Sequence, residues 1–500
     1  MNGQQVGLAT RVRALVESAL SVYTATPYEA TVRDLLSRLD EPLRVAVAGK
    51  VKAGKSTLLN ALVGESLAPT DAGECTRVVT WYRHGLTYKA SFERRDGTVL
   101  PARFSRDNGS LEVFLDGNEL ADVRRIDVEW PTSTLQMMTL IDTPGIGSLT
   151  EEAGERTREF LSPSEEVHTP ADAVLYLMRH MHHSDARFLE SFHDDEAAKA
   201  TPVNAIAVLS RADEIGGGQA DSMRAAKRIA VRYRTDESVR RLCQTVVPVA
   251  GLLAQLGGTL TEQEFRSVAK LAALADDESD SLLVSADRFT RSASALALAP
   301  EEREYLIRRF GLYGLRLANA LVRAGKATSA RQLAEALRMR SGLDDLRREL
   351  TTHFAMRRDV LKARSTLLAL GELTRRTSGN PGVAEVSEAV ERVLAGAHEL
   401  AELRLFTAVR SGAVQLDEDE AVEVERFATT MGSGPSERLA LPADTPVRQL
   451  RAAALKAHSL WAVRAENPIT PVAVVEAARI MQRSYESLIM ELTEQAAVVG

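Results

Sequence analysis

Cysteine is nearly absent: Cys75 and Cys243 are the two in 500 residues. That excludes a disulfide framework and a cysteine-rich zinc site. Lysine is scarce too, with 10 residues against 52 arginines, a bias that GC-rich coding produces and that carries no functional message. No charge of one sign dominates. Basic residues number 62 and acidic residues 69, leaving a net charge of −7, which argues against a nucleic-acid partner. Also missing is an unbroken apolar run of membrane-spanning length. The longest uncharged stretch, Leu242–Thr261, carries Pro248, Gly251, Gly257 and Gly258, so it reads as a buried strand and the turn after it. Neither a secretory leader nor a myristoylation or prenylation box is visible. The expected location is cytoplasmic, with any membrane contact peripheral. What remains, 45 % apolar and 26 % charged, is ordinary globular composition, and the chain is long enough to bury a large core.

Three regimes follow one another. Residues 1–40 are helical, with Leu8, Val12, Leu15, Ala19 and Val22 on one stripe. Residues 41–356 alternate strand-like runs (Arg44–Ala48, Met138–Ile141, Ala173–Met178, Val203–Leu209, Val246–Val249) with helical segments, the pattern of a mostly parallel α/β sheet. Residues 357–500 are helical again. Leu343, Leu346, Leu350, Phe354, Leu361 and Leu368 predict one long helix up to the breaker Ser378–Gly382. A second stripe runs from Val386 through Val390, Leu394, Ala397 and Ala401 to Leu405. The last helix opens at Thr470-Pro471 with Val474, Ala478, Met481, Tyr485, Leu488 and Leu492 on one face. The first and last stripes share a near-heptad period, so they are expected to pack on each other and build an elongated stalk bundle from both chain termini.

The chemistry is concentrated in three motifs. Gly49-Lys50-Val51-Lys52-Ala53-Gly54-Lys55-Ser56 satisfies G-x-x-x-x-G-K-[ST], follows the strand RVAVA and opens a helix that begins Ser56-Thr57. Its backbone N–H groups are placed to wrap phosphates, Lys55 to reach the β/γ oxygens and Ser56 to ligate Mg²⁺. Asp142-Thr143-Pro144-Gly145 ends the strand MMTLI, where an Asp holds the metal's outer shell and Gly145 offers its N–H to a γ-phosphate. Ser210-Arg211-Ala212-Asp213 ends the strand VNAIAVLS. It stands where nucleotide-binding folds of this kind carry [NT]-K-x-D, whose Asp accepts from guanine. Arg211 preserves the stacking role of the lysine. Between the first two motifs Pro69–Thr80 is threonine-rich, and Thr76 is the expected ligand to Mg²⁺ and γ-phosphate, with Thr70 as runner-up.

The segments GKVKAGKSTLLNALVG, APTDAGECTRVVTWYRHG, IDTPGIGS, VLSRADEIG and VVPVAG, with SGLDDLRRELTTHF leading into a long helix, resemble a bacterial dynamin-like GTPase over most of the chain. The motifs are most specific in the first 260 residues. The resemblance implies a P-loop GTPase head on a helical stalk, GTP as substrate with GDP as product, and Mg²⁺ as cofactor. It further implies self-association through the heads, a second dynamin-like protein as partner, and remodelling of an anionic membrane surface. Eukaryotic dynamins hold catalytic water with a glutamine at the position of Val51, which cannot hydrogen-bond. Guanylate-binding relatives use an arginine at the position of Lys52, which makes Lys52 the candidate cation for the transition state. Two rival readings stay open: a regulatory GTP-binding protein with a helical effector module that does not act on membranes, and a non-hydrolysing nucleotide-binding scaffold.

Weaker features read plainly. His180, His182 and His183 lack a carboxylate or cysteine at ligand spacing and read as a surface loop. Asp417–Glu420 reads as a solvated helix start. For membrane contact the candidates are the basic breaker at Arg375 and Arg376, since residues 301–378 carry 17 basic and 9 acidic residues, and the loop Thr429–Pro446 with Met431, Leu439 and Leu441.

Overall fold

In the run Leu43–Gly49, Val45 and Val47 enter one apolar cluster and Ala46 and Ala48 another. A two-residue period with both faces covered is what the interior strand of a parallel sheet requires. A computed structural model describes residues 7–65, 67–68, 78–105, 111–115, 122–144, 171–181, 185–186, 189, 204–292, 295–379, 381–410, 412–430 and 434–499. Its strands are β1 Leu43–Gly49, β2 Val79–His84, β3 Lys89–Arg94, β4 Val99–Pro101, β5 Arg103–Ser105, β6 Glu112–Phe114, β7 Val123–Trp130, β8 Met138–Asp142, β9 Ala173–Met178, β10 Ala205–Ser210 and β11 Val246–Val249.

Nine of them form one sheet in the order β11-β10-β9-β1-β8-β2-β7-β3-β4, while β5 and β6 make a separate ribbon. From β11 to β8 every pairing is parallel. The β2 strand runs antiparallel to β8 and parallel to β7, and β3 and β4 extend the edge antiparallel. Flanked by β8 and β9, β1 delivers its C-terminal end to the crevice where such sheets bind ligands.

Two clusters cover the faces of this sheet, and a third and fourth hold the remaining helices. The stretch 242–261 proves to be β11 followed by a helix, Gly251–Thr259, and not by a turn. Its glycines allow close approach: a Cβ on Gly258 would lie 2.9 Å from the Gly64 carbonyl oxygen.

The helical part differs from expectation in three ways. The predicted single helix from 343 is interrupted. Leu343–Leu350 is followed by a π-helical turn, Thr351–Ala355, before the helix Arg358–Arg376 resumes. The wider turn inserts residues into the repeat, so the buried stripe continues at Leu367 and Leu370, with Leu368 only partly buried. The second stripe breaks at Ala397, extended between the helices Val383–Gly396 and His398–Arg410. Finally, the two terminal stripes do not pack on each other. Leu8, Val12, Leu15 and Ala19 join Leu367, Leu370, Val386 and Val390 in the third cluster. Ala478, Met481, Tyr485, Leu488 and Leu492 join Phe406, Phe427 and Trp461 in the fourth. Each seam closes against a nearer amphipathic helix. The final one, on Val472–Val499, forms a hairpin with Val447–Glu466 through a connection of five residues.

Asp417 caps its helix as an N-terminal box with Glu420. Leu439 and Leu441 pack against the fourth cluster, and Arg375 and Arg376 both pair with Glu372. Packing and charge neutralisation thus weaken both expected membrane-contact segments. No helix among the described residues is long and apolar enough to cross a membrane.

Candidate functional site

The phosphate loop leaves β1 at Gly49, whose φ is +148°; a Cβ there would lie 2.5 Å from the Leu177 carbonyl oxygen of β9. Only glycine fits so close to the neighbouring strand. The loop turns through Lys52, at φ +62°, and Gly54 before the helix Lys55–Val63 begins. A lysine in the left-handed region is strained, and such residues concentrate at functional loops. Lys52 and Val51 are both exposed, and Thr57 is half-buried in the first turn of the helix.

Lys55 Nζ donates to the Gly49 carbonyl at 3.2 Å and to that of Lys50 at 3.4 Å. Burial lowers its pKa, opposed by the charge of Asp142. Ser56 Oγ donates to Asp142 Oδ2 at 3.3 Å. Asp142 is buried, its Oδ1 has no hydrogen-bond partner among the described residues, and burial raises its pKa to about 6 against the pull of Lys55 and Ser56. An orphaned carboxylate oxygen beside a serine hydroxyl fits a hard cation with oxygen ligands. Ser56 and Asp142 are therefore the described residues suited to Mg²⁺. Thr143 Oγ1 donates to the Val47 carbonyl at 3.1 Å, fixing the start of the second motif against β1. Thr70, Cys75, Thr76, Gly145, His182 and His183 lie outside the described residues.

The third motif sits at the end of β10. Ser210 Oγ donates to the Met178 carbonyl at 3.1 Å, which ties β10 to β9. Arg211, at φ +51°, pairs with Glu214 at 2.8 Å, and Arg179 pairs with the same glutamate. Asp213 is buried in the short 3-10 turn that follows, and burial raises its pKa to about 6. The helix Pro300–Arg323 breaks at Gly311 beside that carboxylate: a Cβ on Gly311 would stand 3.6 Å from Asp213 Oδ2. The β1, β8 and β10 ends thus bring Lys55, Ser56 and Asp142 together, with Asp213 two strands away across β9.

One participant escaped the motif reading. Asp185, 1 % exposed, accepts from Lys50 Nζ at 2.9 Å and from the Tyr176 hydroxyl at 2.6 Å, latching the phosphate loop to the segment after β9. Asp185 belongs to no spacing pattern, and its only signal was an isolated acid seven residues past a buried strand.

Residues 45–211 match the family model described as the dynamin family. Over 491 residues the chain is 37 % identical to the isoniazid-induced protein IniC of Mycobacterium tuberculosis, covering 97 % of this chain and 98 % of that one. A bacterial dynamin-like protein of Nostoc punctiforme is 32 % identical over 148 residues, 27 % of this chain and 20 % of the relative. A solved structure described as an oligomerised bacterial dynamin pair, with a mechanism for long-range sensing and tethering of membranes, covers 97 % of this chain and 78 % of its own. Its 15 % identity and TM-score of 0.30 are too low to carry an argument about this chain.

Proposed function

Because the chain belongs to the dynamin family, we propose that it binds GTP with Mg²⁺, hydrolyses it to GDP and phosphate, and couples turnover to head association and peripheral membrane binding. The observation that carries the reading is the orphaned Asp142 oxygen beside Ser56 at the mouth of a strand-loop-helix phosphate site. Mg²⁺, which Ser56 and Asp142 would hold, would supply positive charge against the phosphates. This chain's own residues do the rest. Lys55 exchanges its two carbonyls for phosphate oxygens, the loop's N–H groups cradle the phosphates, and Asp213 accepts from the guanine edge. A regulatory GTP-binding protein that ignores membranes shares this site and differs only in how the helical part is used.

Base recognition has a pH signature. Guanine N1–H and its amino group need an ionised acceptor, while burial holds the free Asp213 carboxyl near 6. GTP binding therefore releases a proton below about pH 6. Affinity is expected to be flat above pH 7 and to fall up to tenfold per unit below 6, as calorimetry in two buffers of different ionisation enthalpy would show. A flat profile down to pH 5 contradicts the assignment of Asp213.

Val51 cannot hold the catalytic water as a glutamine would, and charge developing on the transferred phosphoryl group calls for a cation; Lys52 is exposed on the rim of the loop. A cation supplied to the transition state is worth ~10³–10⁵ in rate. Lys52→Ala should keep GTP affinity within a few-fold while abolishing protein-concentration-stimulated turnover, and wild-type turnover should show little preference for K⁺ over Na⁺. Normal stimulated turnover in that variant removes Lys52 from the mechanism.

Membrane contact is best supported at the turn between the helices Val447–Glu466 and Val472–Val499, a site the motif reading passed over as a helix start. Ile469 is 88 % exposed and Val472 76 %, with Leu460 and Val463 also exposed on the helix leading in. Arg464 is paired there with Glu420, so insertion would rest on apolar contact more than on charge. Burying a side chain of this size is worth ~1.5–3 kcal/mol. The double substitution Ile469→Asp with Val472→Asp should cut co-sedimentation with liposomes tenfold or more and leave basal GTP turnover intact. Unchanged sedimentation rules this turn out.

A further inference from the structure

Where the long helix breaks at the joint between head and stalk, buried hydrogen-bond donors outnumber their acceptors. Arg357 is 1 % exposed; its Nη1 donates to Gln244 Oε1 at 3.2 Å, but among the described residues its Nε and Nη2 have no partner. Gln244 is 2 % exposed and its Nε2 is likewise unpaired. A second guanidinium, that of Arg410, lies 5.5 Å from the Phe406 ring that Arg357 covers at 5.2 Å. Arg240 reaches the Val409 carbonyl close by.

Among the described residues, no carboxylate is hydrogen-bonded to either guanidinium. Glu349 accepts from His353 at 3.0 Å and acts on Arg410 from a distance, and the exposed Glu425 acts on both arginines without a hydrogen bond to either. A guanidinium taken out of water with two of its nitrogens unpaired is strongly unfavourable, and the neighbouring Arg410 repels it. Burial together with Arg410 pulls its pKa down to about 10, in the direction an uncompensated cation requires. A water molecule could accept two of these bonds, but it would leave a third donor unpaired and the charge in place. Three free donors beside two guanidinium groups call for an acceptor that is itself negative.

We propose that the head–stalk joint holds a small inorganic anion, bound by Arg357 Nε and Nη2 and Gln244 Nε2 in the field of Arg410. The site rests on none of the nucleotide chemistry. It lies at the end of the π-helical turn Thr351–Ala355, where Leu350 and Phe354 belong to the sheet's cluster and Leu367 and Leu370 to the stalk's. An anion there ties the residue after the break to Gln244 of the head and to the helix His398–Arg410, fixing the angle between the two parts.

The test is thermal unfolding of the full chain at constant pH and ionic strength in sodium gluconate, sodium chloride and sodium phosphate. Wild type should gain several degrees, saturably, when chloride or phosphate replaces gluconate, and the salt effective at lower concentration identifies the anion. Arg357→Met should fold and lose that difference between salts. Equal midpoints in all three salts for wild type, or a variant that keeps the wild-type response, would overturn the proposal and leave bound water alone. Should Arg357→Met fail to fold, crystals of wild type in sodium bromide decide. An anomalous peak in hydrogen-bond reach of Arg357 Nη2 supports the site, and no peak there overturns it.

Discussion

Replacing Lys55 with alanine is expected to weaken GTP binding at least a hundredfold. The ammonium is spanned by the Gly49 and Lys50 carbonyls at 3.2 and 3.4 Å, at the long end of hydrogen-bond range, so little folding energy rests on it. It is desolvated all the same, as its lowered pKa shows, and desolvated charges interact strongly with whatever anion reaches them. Two charge-assisted hydrogen bonds to phosphate oxygens are worth ~3–6 kcal/mol together, and ~1.4 kcal/mol is a factor of ten. Titration of a fluorescent GTP analogue measures the loss, and the melting temperature without nucleotide should stay close to that of wild type. An affinity within threefold of wild type would mean that the phosphates lie elsewhere.

Asp213→Asn should exchange the preferred base. The carboxylate offers acceptors only, whereas an amide presents a donor on one side and repels guanine's N–H groups. Sites built to hydrogen-bond a polar substrate group discriminate by ~10⁴–10⁵ when the match is lost, because buried partners go unpaired. Asp213 is buried beside the backbone of Gly311 and has little room to turn aside. The expected result is a GTP affinity lowered by ~10³ or more, and tighter binding of xanthosine triphosphate than of GTP. The same variant should lose the affinity change below pH 6, since the titrating group is gone. Retained preference for GTP contradicts the role given to Asp213.

The parallel half of the sheet was legible because β1, β8, β9, β10 and β11 are mostly apolar runs, and strands buried on both faces leave little else to read. The strand-loop-helix around Gly49–Ser56 was equally plain, since that motif expects a strand before it and a helix after it. What escaped depends on tertiary choice. A stripe of apolar residues shows that a helix has a partner but not which one, so the two terminal seams were joined to each other when each has a closer mate. The π-helical turn leaves no local mark except a slipped repeat, visible once Leu367 is seen buried in place of Leu368. Asp185 and Ile469 were missed for opposite reasons. The first is a buried acid whose partners, Lys50 and Tyr176, are 135 and 9 residues away. The second is a single apolar residue between two prolines, exposed only because the hairpin turns there.

The central claim is that this phosphate site turns over GTP. Phosphate release by purified protein, followed with GTP or ATP as the only nucleotide and with Mg²⁺ present or chelated, tests it most directly. The account predicts release from GTP that rises with protein concentration, requires Mg²⁺, is absent with ATP and disappears in Lys55→Ala. Equal release from ATP, or release from GTP that survives Lys55→Ala, would contradict it.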